Sequence, residues 1–149
     1  MLTGKLRLAT VQGEGRQFVA QSGSGHALVI DAREGNTGPT PVELVLLAAG
    51  GCTASDVISI LRKKRQKVTG YEVVVSAEQQ EEYPKVFMKI KIHHVLRGEI
   101  DREAIERAIH LSETKYCSVG AMLAQSASIE TTYEIVPECV TNVIGDGTR

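Results

Sequence analysis

The cysteines Cys52, Cys117 and Cys139 are the residues in this sequence best suited to covalent chemistry. Cys52 lies in the apolar stretch "LLAAGGCTASDV" (46–57), directly after two glycines. Glycine costs a helix about 1 kcal/mol relative to alanine. The glycine pair therefore indicates that a neighbouring helix, a ligand or a partner backbone comes close to this position. A small, odd number of cysteines argues against a structural disulfide framework, so any functional pair is expected to be redox-active.

Cys117 lies where a short helix, "CSVGAMLAQ" (117–125), is predicted to begin. The partial positive charge of a helix start favours a thiolate there. Inert packing is the alternative for both Cys52 and Cys117, because cysteine is often simply buried. Asp56 follows Cys52 by four residues, on the same helix face, where a bare carboxylate would raise the pKa of the thiol. We therefore expect Asp56 to be bonded to protein donors. Cys139 is interpreted as a bystander, with a spare resolving role as the alternative.

Hydrophobic periodicity predicts the elements that position these thiols. Alternating segments at 5–11, 16–21 and 26–32 predict an N-terminal antiparallel β-meander within residues 1–32. A long helix is predicted over 40–65, and Thr40 with Glu43 has capping-box spacing at its start. Its first half is apolar on nearly every side, which indicates burial on every side.

The remainder, 71–136, reads as two strands, two helices and a final strand. The first of these helices (101–116) is predicted to be capped by Asp101. Its buried face is predicted to consist of Ile105, Ala108, Ile109 and Leu111. The two adjacent histidines, His93 and His94, lie on a predicted strand and should point to opposite faces, which is poor geometry for one metal.

The predicted order defines one α+β domain over residues 1–149, with a mostly antiparallel sheet around a central helix and a tail at 137–149. One layer of strands cannot cover a helix that is apolar all round. We therefore expect a homodimer with a large shared core and two-fold symmetry.

Composition narrows the classes of partner. The 17 basic residues nearly balance the 18 acidic ones, so no nucleic-acid partner is expected. No apolar run reaches membrane-spanning length, because Glu43 and glycines interrupt the longest stretches, so no membrane partner is expected either. The first residues, "MLTGKLRLAT", contain no signal-peptide core, and a cytoplasmic location is the expectation.

Two motifs give the chain a resemblance to the OsmC/Ohr superfamily of hydroperoxide-detoxifying proteins. The first is "GPTPVELVLLAAGGCTASDV" (38–57), which resembles the family's Gly-x-x-Pro-x-Glu-Leu helix ending in a central cysteine. The second is "SETKYCSVGAMLA" (112–124), which resembles its second cysteine at the start of a short helix. "SGSGHALVIDA" (22–32) fits the branch with "GGCTAxDV" after the helix start.

The resemblance implies an intertwined homodimer that reduces organic hydroperoxides, and in some members hydrogen peroxide, in oxidative stress defence. Carried over, Cys52 is the peroxidatic cysteine and Cys117 the resolving one, with a dithiol reductant of lipoyl or thioredoxin-like type. No metal and no organic cofactor are implied. The apolar neighbours of Cys52 (Leu46, Leu47 and Ala49) favour organic hydroperoxides over hydrogen peroxide.

The family also uses an N-terminal arginine, oriented by a glutamate ten residues before the first cysteine. Here that position is Val42, while Glu43 stands nine residues before Cys52, a rotation of about 100° on a helix. Glu43 is therefore either the family glutamate or only part of the capping box. Arg33 and Arg16 are both candidates for the arginine, and the loop of Arg33 leads directly into the helix. The displaced glutamate and Asp56 favour an alternative: an OsmC-fold dimer with little or no peroxidase activity that binds a small apolar or thiol-reactive molecule at its interface.

Overall fold

The computed structural model describes residues 1–10 and 13–136, which form an α+β fold. These residues contain six strands, three α-helices and one π-helical turn. In chain order the elements are β1 (Gly4–Leu8), β2 (Phe18–Ser22), β3 (Ala27–Ile30), α1 (Pro41–Lys63), β4 (Lys67–Gln79), β5 (Phe87–Glu99), α2 (Arg102–Leu111), the π-turn (Ser112–Tyr116), α3 (Ser118–Leu123) and β6 (Ser128–Val136). Two compact units divide between Ala48 and Ala49, within α1.

The first unit contains the β-meander that the alternating pattern predicts. β1 pairs antiparallel with β2, and β2 pairs antiparallel with β3. The loop after β3 is organised by Asp31, which is buried and accepts hydrogen bonds from the Ala32 amide (2.7 Å) and from the amide and hydroxyl of Thr37. The Thr37 bonds hold the pKa of Asp31 below its usual value.

Helix α1 begins with the predicted capping box. The Thr40 amide and hydroxyl donate to Glu43 Oε2 at 2.7 and 2.9 Å, and the Glu43 amide donates to Thr40 Oγ1 at 3.3 Å. The helix ends at Lys63, slightly before the predicted limit, with Arg65 at φ +56°. The Gln66 amide bonds to the Leu61 carbonyl and the Arg65 amide to that of Arg62, which is a Schellman end.

The second unit is built on a sheet with strand order β4-β5-β6. β4 and β5 form a long antiparallel hairpin, whereas β5 and β6 are parallel. Parallel neighbours need a crossover connection. The segment from α2 to α3 supplies it.

The core of this unit lies between α1, α2 and β5. It contains Val57, Leu61, Leu96, Ala104, Ile105, Ala108 and Ile109. The predicted apolar face of α2 is thus confirmed except for Leu111, which is only half-buried. Gly50 is also buried, and a Cβ there would lie 2.7 Å from Val75 Cγ1, so this glycine lets α1 approach β4 closely. Gly51 is exposed, and a Cβ there would have open space among the described residues.

Three expectations need correction. The strands form two three-stranded sheets rather than one layer, and the second sheet contains a parallel pair because of the crossover. The predicted helix 101–116 ends at Leu111 and continues as the π-turn. Asp101 stands at the N-cap, but its side chain accepts a hydrogen bond from Gln66 Nε2 at 3.1 Å instead of capping the helix.

Helix α1 is long and apolar enough to cross a membrane by length and composition alone. The expectation that no apolar segment reaches that length was wrong by this criterion. Core helices of globular proteins meet the same criterion, so this finding is weak evidence for a membrane span.

Candidate functional site

Two thiols and a carboxylate meet in the second unit. The Sγ atoms of Cys52 and Cys117 and a carboxylate oxygen of Asp56 all lie within 4.8 Å of one another. Both cysteines are free thiols. The fold has thus brought together two sulfurs that are 65 positions apart in the sequence.

Helix α1 supplies two of the three groups. Cys52 and Asp56 are one turn apart and share a face. Both are half-buried, while Thr53 and Val57 between and after them are buried. Burial alternates along the helix because the second half of α1 buries one stripe of residues and places Cys52 and Asp56 beside that stripe. The buried stripe consists of Ala49, Thr53, Val57 and Leu61.

The π-turn positions Cys117. The Cys117 amide donates to the Ser112 carbonyl at 2.8 Å, which closes the wide turn. Cys117 is then the extended N-cap residue of α3, and its Sγ accepts a hydrogen bond from the Gly120 amide at 3.2 Å. The side chain is only 6% exposed. A Cβ at position 120 would stand 3.0 Å from Sγ, so glycine at this position avoids a tight contact with the sulfur.

Ser112 holds the carboxylate of the cluster. Its hydroxyl donates to Asp56 Oδ2 at 2.9 Å and lies 3.1 Å from Thr53 Oγ1. Because a hydroxyl carries one proton, Ser112 bonds both partners only by donating to one and accepting from the other. The expectation that Asp56 is bonded to a protein donor is confirmed for this bond.

Sequence reasoning missed Ser112 and Thr53. The available signal was polarity within an apolar stripe: Ser112 continues the buried positions 105, 108 and 109 of α2, and Thr53 lies in the buried stripe of α1. A hydroxyl residue at such a position needs a buried partner. Two of them facing each other from separate helices could not be paired from the sequence.

Burial raises the pKa of the Cys117 thiol to about 11, with a further increase from Cys52 and Asp56 that exceeds the opposing Gly120 hydrogen bond. The hydrogen bond from the Gly120 amide at the helix start lowers the pKa of Cys117 as expected, but the net pKa is raised, so a thiolate is not favoured overall. Helix α3 has six residues, and its N-terminal partial charge is outweighed by removal of the sulfur from water.

A cavity of about 130 Å³ opens beside Cys117. Its lining is mostly apolar and, among the described residues, contains no Lys or Arg. The lining residues are Thr53, Ile92, Ser112, Glu113, Cys117, Gly120, Ala121, Ala124, Ile129 and Thr131.

The other predicted site residues belong to the first unit. Arg16 forms an exposed ion pair with Glu34 at 2.8 Å. Arg33 makes no hydrogen bond or ion pair with residues in the described ranges, and its charge helps to lower the pKa of Glu34 and Glu43. Glu43 is engaged by Thr40 in the capping box, as one of the two open interpretations had it.

The remaining predictions concern residues outside the cluster. His93 bonds Thr132 and Glu134, whereas His94 is fully buried against Tyr71, so the two histidines do face opposite ways. Cys139 lies outside the described residues.

Comparisons with known proteins give the class. A sequence profile of the OsmC-like protein family matches residues 34–132. Protein YhfA of Escherichia coli strain K12 is 44% identical over 124 residues, which are 83% of this chain and 92% of YhfA. The chain therefore belongs to the OsmC-like family, as the two cysteine motifs indicated.

Solved structures agree on the fold. A hypothetical protein from Aquifex aeolicus VF5 is 30% identical and aligns with a TM-score of 0.82 over 93% of this chain and 98% of that one. An organic hydroperoxide resistance protein OsmC from Legionella pneumophila aligns with a TM-score of 0.64 over 90% of this chain and 96% of that one, at 13% identity.

Proposed function

We propose that this protein is a thiol-dependent peroxidase that reduces organic hydroperoxides in oxidative stress defence. The observation that carries the proposal is the approach of Cys52 and Cys117, which places two free thiols within 4.8 Å. Hydroperoxide resistance is the property named for structural relatives of this fold, such as the Legionella protein.

Cys52 is proposed as the attacking residue because it is half-buried, whereas Cys117 is buried. Its thiolate attacks one oxygen of the O–O bond, the alkoxide leaves and takes a proton to become an alcohol, and Cys52 becomes a sulfenic acid. Cys117 then attacks the Cys52 sulfur, and a disulfide forms with loss of water. A dithiol reductant of lipoyl or thioredoxin-like type restores both thiols in the proposed cycle.

The attacking thiolate needs a cation near it. Asp56 lies against both sulfurs, and among the described residues no Lys or Arg lines the cavity beside Cys117. We therefore assign the cation to the N-terminal unit or to a second copy of the chain, with Arg33 as first candidate and Arg16 as second. Arg33 is preferred because Glu34 already pairs with Arg16. Glu43 has the capping role in this proposal. It could orient the arginine only if its hydrogen bonds with Thr40 broke.

The proposed assembly is an intertwined, two-fold homodimer that encloses α1, in the cytoplasm and without nucleic acid or membrane as partners. Val42, Val45 and Leu47 are 41–56% exposed in the single chain, and a second copy would cover them. The mostly apolar cavity beside Cys117 supports the preference for organic hydroperoxides.

Thiol counting after one equivalent of cumene hydroperoxide tests the proposal. We expect the fully reduced protein to lose two thiols per chain, and Cys52→Ser to lose none. Cys117→Ser should stop at a sulfenic acid that dimedone traps, and Cys139→Ser should still lose two thiols. Recovery of all three thiols from the wild-type protein would contradict the peroxidase.

Recovery of all three thiols would favour the alternative function, a dimer that binds a small molecule. Asp56 beside both thiols, and Glu43 engaged by Thr40, are the observations that favour a dimer without peroxidase activity. Such a protein would bind a small apolar or thiol-reactive molecule. This alternative would be supported if an apolar ligand protected Cys52 from labelling by an alkyl maleimide.

A further inference from the structure

Asp56 has no part in the proposed redox cycle, yet its carboxylate stands against both sulfurs. We propose that the reduced protein binds one thiophilic divalent cation, Zn²⁺ being the natural candidate, through Cys52 Sγ, Cys117 Sγ and an Asp56 oxygen. This site does not depend on the peroxidase proposal, because it needs only the reduced thiols.

The donor set fits such a cation. Thiolate sulfur and carboxylate oxygen are both zinc ligands, with bonds of about 2.3 and 2.0–2.2 Å. Tetrahedral geometry then separates the donor atoms by about 3.4–3.8 Å. The three donor atoms already lie within 4.8 Å of one another, so side-chain rotations that move each donor atom by about 1 Å would bring them to these distances.

Two fixed hydrogen bonds orient the donors. Ser112, fully buried, donates to Asp56 Oδ2 at 2.9 Å. Among the residues in the described ranges no group bonds the other oxygen, Oδ1, so it is available to a metal. The Gly120 amide donates to Cys117 Sγ at 3.2 Å. Hydrogen bonds to ligating groups are the usual supports of metal sites.

Charge compensation argues the same way. With both thiols deprotonated the cluster holds three negative charges, and no Lys or Arg lines the adjoining cavity in the described part of the chain. A divalent cation offsets two of these charges, and each thiol gives its proton to solvent as the metal binds. Two sulfur ligands select zinc-like cations over Mg²⁺ or Ca²⁺.

Three protein ligands leave a fourth position for water or an exchangeable group. The metal and the Cys52–Cys117 disulfide exclude each other, because both use the same sulfurs. Metal occupancy would therefore protect the thiols from oxidation, and disulfide formation by any oxidant would release the metal.

Zn²⁺ titration of the fully reduced full-length chain, in competition with a chromophoric chelator, tests the site. We expect one Zn²⁺ per chain and, with Cd²⁺ as a second probe, a thiolate charge-transfer band in the ultraviolet. Cys52→Ser and Cys117→Ser should each lose the band strength of one thiolate. Asp56→Asn should weaken Zn²⁺ binding about tenfold or more.

Matched controls make the result specific. Glu113→Gln removes a carboxylate from the adjoining cavity, and Cys139→Ser removes the third thiol, so both should bind Zn²⁺ like the wild type. Protein oxidised with diamide should bind none. The proposal is overturned by absence of stoichiometric Zn²⁺ binding to the reduced chain, or by unchanged affinity in Asp56→Asn with the fold intact by circular dichroism. Neither outcome bears on peroxide reduction, which the thiol count measures separately.

Discussion

The chemistry of this protein is set at the residue scale by what surrounds each sulfur. Cys52 and Cys117 lie against Asp56, which adds negative charge, and among the described residues no Lys or Arg lines the cavity beside Cys117. The Ser112 hydroxyl holds the Asp56 carboxylate in place and also bonds Thr53 Oγ1. The proposed peroxidase would therefore need an arginine from elsewhere, and this makes the arginines the first targets for mutation.

Arg33→Gln should lower the second-order rate constant for cumene hydroperoxide about a hundredfold, because a preorganised cation at a reacting centre contributes on that scale. Arg16→Gln is the matched control and should change the rate by less than about threefold, since exposed ion pairs contribute little. Stopped-flow kinetics on reduced protein would measure both. The reverse ranking would assign the role to Arg16, and no effect of either would remove both from the mechanism.

His94 makes stability depend on pH. It is fully buried, Nδ1 lies 2.7 Å from the Tyr71 hydroxyl, and Nε2 has no partner among the described residues. Burial, with a smaller contribution from His93, lowers the pKa of His94 to about 4. Between that value and 6.5 the unfolded chain binds the proton and the folded chain does not, so stability falls as pH falls.

Urea unfolding from pH 7 to pH 4 should show a loss of about 3 kcal/mol from this histidine. His94→Gln cannot titrate and should have a flatter stability curve over the same range, whatever its absolute stability. His93→Gln is the control, with the wild-type slope. Equal slopes for all three proteins would contradict the assignment.

At the scale of elements, the two glycines of α1 that precede Cys52 have different surroundings. Gly50 lets the helix approach β4, whereas a side chain at Gly51 would meet open space in one chain. Gly50→Ala should therefore destabilise the fold by about 1–3 kcal/mol through overpacking. Gly51→Ala should stabilise the helix of an isolated chain by up to about 1 kcal/mol.

The Gly51→Ala variant also tests the proposed dimer. If a second copy packs at Gly51, Gly51→Ala should weaken dimerisation, measurable by sedimentation at decreasing concentration. A dimer unchanged in affinity, with a raised melting temperature, would show that no partner approaches Gly51.

The end of α1 offers a separate stability test. Arg65 occupies the left-handed position of a Schellman motif, where glycine is the preferred residue. Arg65→Gly should stabilise the protein by about 0.5–1 kcal/mol, because φ of +56° costs a side-chain-bearing residue energy. Arg62→Gly, inside the last helical turn, should destabilise by a similar amount. Chemical denaturation of the two variants would separate these opposite signs.

At the scale of the whole molecule, the first half of α1 has apolar side chains that are exposed in the described part of the chain, and the proposed assembly would cover them. Leu47 is 56% exposed in the single chain. Leu47→Glu should therefore convert the proposed dimer to monomer in analytical ultracentrifugation. Tyr83→Glu, at an exposed turn between β4 and β5, should leave the assembly unchanged. A monomeric wild type would refute the homodimer directly.

The sequence by itself determined the order of the elements, the capping box of Thr40 and Glu43, the buried face of α2 and the choice of Cys52 and Cys117 as the candidate functional pair. These features depend on local hydrogen bonds and on periodicity, which neighbouring residues encode. It also carried the family, through the residues around Cys52 and Cys117.

The tertiary structure alone decided the parallel pairing of β5 with β6, the π-turn before Cys117, the bonds of Ser112 to Asp56 and Thr53, and the raised pKa of Cys117. The β5–β6 pairing joins residues that are distant in the sequence, such as Lys89 and Ser128, and the Ser112 hydroxyl bonds residues 56 and 59 positions away. The raised pKa of Cys117 depends on burial from water that several elements create together. Helix-start electrostatics predicted a thiolate at Cys117, but the desolvation that overcomes it exists only once the chain has packed.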